Sequence, residues 1–223
     1  MRDLRAALLI ALLGCLQVNV AAQNSDIRLR TGFKLNKEAN KRLEFTFESQ
    51  FRMKNNMSDF DKILFEPSLK FEVFKNFRII SIYRYSWKQN KQKIKFGKSR
   101  INIYLAYKFA IGSDWDLKTK SGIEYETRSF HSGYNHEDDS WTNRSELILS
   151  YDIFGTPLST EIGGELFINI INPKRFEQVR LASELSYRLS KNTKLLFQYL
   201  IDFKLQKAGR LNHIFVLMYR IKI

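Results

Sequence analysis

The sequence predicts an all-β fold: an antiparallel, up-and-down transmembrane β-barrel of about 10–12 strands behind a cleaved signal peptide. Three observations carry this. Apolar and polar residues alternate along nearly the whole chain, the connections alternate between short turns and longer polar loops, and aromatic residues gather near the segment ends. Period-two alternation marks a strand because successive side chains leave on opposite faces. The last stretch shows it best. Leu181, Ser183, Leu185, Tyr187 and Leu189 alternate with Ala182, Glu184, Ser186 and Arg188; then, after Ser190-Lys191-Asn192, come Leu195, Phe197, Tyr199, Ile201 and Phe203, and finally Leu211, His213, Phe215, Leu217, Tyr219, Ile221 and Ile223.

Residues 1–22 stand apart from residues 23–223, the expected barrel domain. Met1 to Arg5 is a short net-positive segment, Ala6 to Leu16 is apolar, and Val20-Ala21-Ala22 supplies small residues before Gln23. This is the layout of an export signal, too short to span a bilayer as a helix. Its removal takes away Arg2, Arg5 and Asp3, so the formal charge falls from +14 to +13. The single cysteine, Cys15, lies in Leu12-Leu13-Gly14-Cys15, which looks like a lipobox; the plainer reading is a discarded apolar-region cysteine. The mature chain then holds no disulfide and depends on backbone pairing and burial.

Eleven strand-like segments follow, at about 26–35, 41–52, 61–73, 77–88, 98–109, 115–128, 140–153, 158–170, 176–189, 193–205 and 211–223. Their lengths suit tilted strands crossing a bilayer, for which about 9–11 residues are needed. Asn36-Lys37, Lys75-Asn76, Gly112-Ser113-Asp114, Gly155-Thr156-Pro157 and Lys191-Asn192 mark short turns; the connections near 53–60, 89–97, 129–139, 171–175 and 206–210 are generally longer. Phe33, Phe74, Phe77, Tyr107, Phe109, Trp115, Tyr151, Phe154 and Tyr187 are assigned to the turn end. Phe51, Phe65, Tyr85, Trp87, Tyr125, Trp141, Phe176 and Phe203 are assigned to the loop end. Two such belts fit the two membrane interfaces. Bacterial single-chain barrels have even strand numbers. The eleven segments therefore predict either ten wall strands, with the first segment outside the wall, or twelve with one unmarked.

A sheet in hydrocarbon must close, because every backbone polar group has to be paired. The apolar faces then meet lipid and the ionic faces line the lumen. That assigns Arg28, Glu44, Glu48, Arg78, Arg84, Arg100, Glu124, Glu126, Arg144, Glu146, Glu165, Arg180, Glu184 and Arg188 to the interior, with Arg30, Glu66, Lys70, Glu72, Arg52, Lys118, Lys120, Glu161, Asp202 and Arg220 beside them. Opposite charges crowded in a narrow barrel pair with one another, since an unpaired buried charge is costly. Two roles for this interior are open: a polar plug stiffening the wall, or a pathway for ions or small solutes.

Four stretches resemble an uncharacterised family of Gram-negative outer-membrane β-barrels, a domain of unknown function. They are Thr142-Asn143-Arg144-Ser145-Glu146-Leu147; Gly164-Glu165-Leu166-Phe167; Glu177-Gln178-Val179-Arg180-Leu181 with Tyr187-Arg188-Leu189-Ser190-Lys191-Asn192; and Leu211-Asn212-His213-Ile214-Phe215. The resemblance covers the mature chain and implies an exported integral barrel with outer-membrane lipid around it; it supplies no catalytic residues. The last strand is similar to the C-terminal signal read by the barrel-assembly machinery, although it ends in Ile223 where an aromatic is usual.

Other chemistries are weaker. His131 and Ser132 offer a base and a hydroxyl for a rim lipid hydrolase; as sequence neighbours they point apart in a strand and can meet only in a loop. His136, Glu137, Asp138 and Asp139 suit a divalent cation by ligand type and match no defined spacing. His213, on the apolar face, reads as a packing residue. Lys91, Lys93, Lys95 and Lys98 form a basic loop able to hold lipopolysaccharide phosphates. The basic balance invites nucleic acid, yet the charges are spread along strands without a stacking platform, so none is expected. No cofactor or metal is expected, the sequence does not define an oligomer, and the expected role is structural or interactive, without catalysis. If the signal reading holds, N-terminal sequencing of the exported protein returns Gln23 as the first residue; an acylated Cys15 at the N-terminus would overturn it.

Overall fold

The computed structural model describes residues 25–89, 95–129, 139–171, 175–205 and 210–223. Eleven strands are found among them: β1 (Ser25–Asn40), β2 (Leu43–Lys54), β3 (Asp59–Phe74), β4 (Phe77–Gln89), β5 (Lys95–Ile111), β6 (Trp115–Ser129), β7 (Ser140–Asp152), β8 (Leu158–Asn169), β9 (Phe176–Arg188), β10 (Thr193–Lys204) and β11 (Arg210–Lys222). Each pairs with its chain neighbours, and β1 with β11, so the sheet is a closed barrel.

Ten of the junctions are antiparallel; the closing one is not. β1 and β11 run parallel, in register from Ser25↔Leu211 to Asn36↔Lys222. Eleven strands fall within the expected range of about 10–12; what is corrected is the even-number rule that favours ten or twelve, and the expectation of a wholly antiparallel wall. The first segment is a wall strand, and an odd number of up-and-down strands can close only with its first and last members pointing the same way. What hydrocarbon demands is the pairing of every amide, and a parallel ladder meets that demand as well as an antiparallel one.

β1 is also longer than the alternation indicated. The expected turn at Asn36-Lys37 is strand, and the chain reverses at Lys41-Arg42 instead, with a register shift between Glu38 and Asn40. Phe33 therefore lies at mid-strand, within 6.2 Å of the Phe47 ring, and not at the turn end. Other aromatic contacts fall where the two belts were expected. Phe74 stacks on Phe77 at 4.7 Å and Trp115 on Tyr151 at 4.4 Å at the turn end, while Tyr125 meets Trp141 at 4.7 Å toward the loops. Outward side chains such as Ile103, Leu105, Leu147, Ile162 and Phe197 are exposed on the barrel surface. An apolar band between aromatic girdles is the surface of a transmembrane barrel.

Turn chemistry fixes the hairpins. Asn76 takes φ 69° and Gly112 φ 76°, left-handed conformations that Asn tolerates and Gly adopts without cost. At the opposite end, Asn55, Asn56 and Met57 all have positive φ. The loop they form bends onto β1, with the Asn56 N–H donating to Asp26 Oδ1 at 3.0 Å and the Ile27 N–H to Asn56 Oδ1 at 3.1 Å. Between β3 and β4 the ladder runs from Phe65↔Tyr85 to Ser68↔Ile82 with no partner for Glu66 or Pro67. Proline has no N–H to contribute there.

The interior is not uniformly polar. Leu196, Leu200, Ile214, Val216 and Met218 form a buried cluster on the inner face of β10 and β11, with Ala182 packed against it. On the other side the Tyr104 ring is almost fully buried over Gly122. A Cβ at Gly122 would lie 2.0 Å from the Ile103 carbonyl oxygen and 2.7 Å from the Tyr104 ring. Gly122→Val is therefore expected to destabilise the barrel by about 1–3 kcal/mol, the usual cost of overpacking. Urea titration of the folded protein in detergent checks this.

Candidate functional site

The inward face brings charges from distant parts of the sequence into one connected belt. Antiparallel register places Arg100 of β5 opposite Glu126 of β6, and Glu165 of β8 opposite Arg180 of β9. Lys98 reaches Glu126 at 2.5 Å, and Arg100 Nε donates to Glu126 at 3.0 Å. Arg100 also bonds Glu124 at 3.1 Å, and Glu124 accepts from Arg144 at 2.7 Å. Arg144 Nε donates to Glu165 at 2.9 Å, Glu165 accepts from Arg180 at 3.2 Å, and Arg180 ends the series on Asp202 at 2.6 Å. Positive and negative groups thus alternate across six neighbouring strands, from β5 to β10.

Burial makes this arrangement obligatory. The Arg144, Glu124 and Glu165 side chains retain 10%, 7% and 5% of their exposure. An isolated ion there would be strongly disfavoured, whereas each shared between two partners has its charge and its hydrogen-bonding capacity met. The Arg144 guanidinium lies 4.7 Å from the Phe167 ring centre and 5.9 Å from that of Tyr104; Arg180 lies 5.2 Å from Phe167. Aromatic faces attract cations at such distances. Gly122 sits between Tyr104 and Arg144 in the cross-strand register, so its missing side chain makes room for both.

Smaller pairs complete the inner face. Glu44 accepts from Lys70 at 2.8 Å, Glu48 from Lys34 at 3.0 Å, and Glu146 from Lys120 at 2.5 Å. Arg28 bonds Asp26 at 2.7 Å, Lys118 bonds Glu161 at 2.7 Å, Arg84 pairs with Glu66, and Gln198 donates to Glu184. Arg78, paired with Glu72 at 3.1 Å, is half exposed at the turn rim; Arg188 is also exposed at that rim.

Lys98 departs from expectation. The sequence places it in a basic surface loop, but β5 begins at Lys95, so Lys98 is a wall residue that faces inward and joins the belt. Lys91 and Lys93 lie outside the described residues, as do residues 1–24, His131, Ser132, His136, Glu137 and Asp138, and nothing is described of the Lys95 side chain. Asp139 accepts a hydrogen bond from the Tyr125 hydroxyl at 2.8 Å. His213 Nδ1 lies 2.6 Å from the Tyr199 hydroxyl on the outer face, consistent with a packing role.

A cavity of about 580 Å³ occupies the lumen. Its lining runs from Ser140, Glu177 and Lys204 near the longer loops, past Arg144, Glu165 and Arg180, to Glu161 and Glu184 near the short turns. Lys62 also lines it and was not singled out from sequence, although it shares the inward parity of Glu66 and Lys70.

The closed wall, the lipid-facing band and this charged interior together define a transmembrane β-barrel with a polar lumen. The chain belongs to the family described as "Protein of unknown function (DUF2490)", whose model matches residues 30–213. No curated protein matches it. Among solved structures, it is similar to the beta domain of the Bordetella autotransporter Brka, with a TM-score of 0.47 and 8% identity over 80% of this chain and 82% of that one.

Arg144 bridges two buried carboxylates, so Arg144→Ala is expected to cost about 1–3 kcal/mol by leaving Glu124 with Arg100 alone and Glu165 with Arg180 alone. The double variant Arg144→Ala/Glu165→Gln is expected to recover part of that loss. A double-mutant cycle of unfolding free energies in detergent gives the coupling.

Proposed function

We propose that this protein is an integral outer-membrane barrel, inserted by the barrel-assembly machinery, whose interior is a narrow, charge-lined passage for small hydrated ions or solutes. It performs no catalytic step in this reading. The observation that carries it is the lumenal cavity, whose polar lining extends from the loop end nearly to the turn end. Side chains of both signs along that lining, among them Arg144 and Glu165, replace part of the hydration of a passing ion.

A second reading is a structural or interaction barrel in which the same belt braces the wall. It is favoured by the continuity of the pairs from Lys98 to Asp202, which ties six strands together independently of their backbone ladders. The basic residues Lys91 and Lys93 suit lipopolysaccharide phosphates in either reading. A lipid hydrolase would have to be built on His131 and Ser132, which lie outside the described residues.

Planar-bilayer recording of the purified protein separates the two main readings. A passage gives discrete conductance steps, and Arg84→Gln, which removes a lumenal cation, shifts ion selectivity toward cations. Absence of steps at all voltages would overturn the passage and leave the structural barrel.

A further inference from the structure

The lumen is electrostatically lopsided. The belt from β5 to β10 balances its charges, but the wall formed by β1 to β4 does not. Cross-strand register places Arg30 of β1 directly opposite Arg52 of β2, Arg52 opposite Lys62 of β3, and Lys62 opposite Lys88 of β4. Four cations therefore sit side by side in one row across four strands, all lining the same cavity. Like charges directly opposite one another destabilise a sheet. At any of these positions a neutral side chain would satisfy the wall equally well.

No carboxylate among the described residues comes within ion-pair distance of the row. The acids nearest it are held elsewhere: Asp202 by Arg180, Glu66 by Arg84, Glu126 by Lys98 and Arg100, and Asp61 faces Lys54 at 3.8 Å. Arg52 is buried, and its Nε donates to the neutral Gln50 oxygen at 2.8 Å, with no carboxylate among the described residues in direct contact with its guanidinium. The row lies close to the longer loops, near the mouth of the cavity, and Gln50 beside it adds a neutral polar group.

We propose that this row is a binding site for a multiply charged oxyanion, a phosphate or a small phosphate-bearing solute, at the loop-end entrance of the lumen. Two guanidinium groups offer planar forks matched to phosphate oxygens, and two ammonium groups add point charges that adapt to the ligand. A bound anion sets four attractions against the three repulsions between neighbours in the row. The side chains point into the lumen, and the strands separate them from the bilayer, so the ligand is a dissolved solute and not a lipid headgroup. Binding does not require that the lumen conduct.

Inorganic phosphate is the probe. The full-length protein, purified in detergent, is titrated with phosphate by calorimetry and melted in phosphate and in chloride at matched ionic strength. The expected result is saturable binding and a higher melting temperature in phosphate. Arg52→Gln and Lys62→Gln are each expected to weaken binding about tenfold or more, the scale of one lost charge-assisted contact. Arg78→Gln, at the opposite rim, should bind as the parent does. In chloride the two row variants should melt no lower than the parent, because a repulsion has been removed; this also shows that they fold, and Lys88→Gln serves if either does not. Phosphate behaving as chloride does would overturn the site, as would unchanged binding in the row variants or an equal loss in Arg78→Gln.

Discussion

A peptide group in hydrocarbon has no water to bond, and each unpaired N–H or C=O there costs several kcal/mol. Everything else in this barrel follows from that. The wall must close, so Ser25 to Asn36 pairs with Leu211 to Lys222 even though the two strands run the same way. Once the wall is closed, period-two alternation sorts the side chains without further instruction: odd residues of β5 such as Ile101, Ile103 and Leu105 meet lipid, and even residues such as Lys98, Arg100 and Tyr104 fill the cylinder.

Closure also sets the electrostatic problem. A narrow cylinder cannot hydrate a dozen charges separately, and the belt from Lys98 to Asp202 is the solution on one side. Its geometry depends on residues that carry no charge. Gly122 leaves space for Tyr104 and Arg144, and Phe167 offers its face to Arg144 and Arg180. Beside the β10 end of the belt, the apolar cluster of Leu196, Leu200, Ile214, Val216 and Met218 needs no counter-ions at all. The inner face thus has three sectors: one neutralised by pairing, one apolar, and one cationic.

How much of this was legible in the sequence follows from what alternation encodes. It encodes which face a residue occupies, so the strands and the inward positions of Arg100, Glu124, Arg144 and Glu165 were readable. It does not encode which residue lies beside which. Register shifts at Glu38/Asn40, Arg52/Met53, Glu72/Phe74 and Phe167/Ile168 decide that, and none has a sequence mark of its own. The row of Arg30, Arg52, Lys62 and Lys88 was invisible for this reason. The inner apolar cluster was hidden differently: Leu196, Leu200, Ile214, Val216 and Met218 interrupt an inward face that also carries Gln198, Asp202 and Arg220, and alternation gives the face of such residues without saying that they meet. The eleven segments are all legible as strands; an even count is no guide to which of them join the wall, because the physical requirement is pairing, which a parallel seam also meets.

The parallel seam has a kinetic consequence. Each of the other junctions joins chain neighbours and can zip from its own turn or loop, at low entropic cost. The seam joins segments nearly the whole chain apart and has no hairpin to nucleate it, and ordering so long a loop is slow. The cylinder should therefore assemble as a curling ribbon whose two free margins meet last, which makes Arg30, Val216 and their seam neighbours the final residues to lose contact with the surrounding medium.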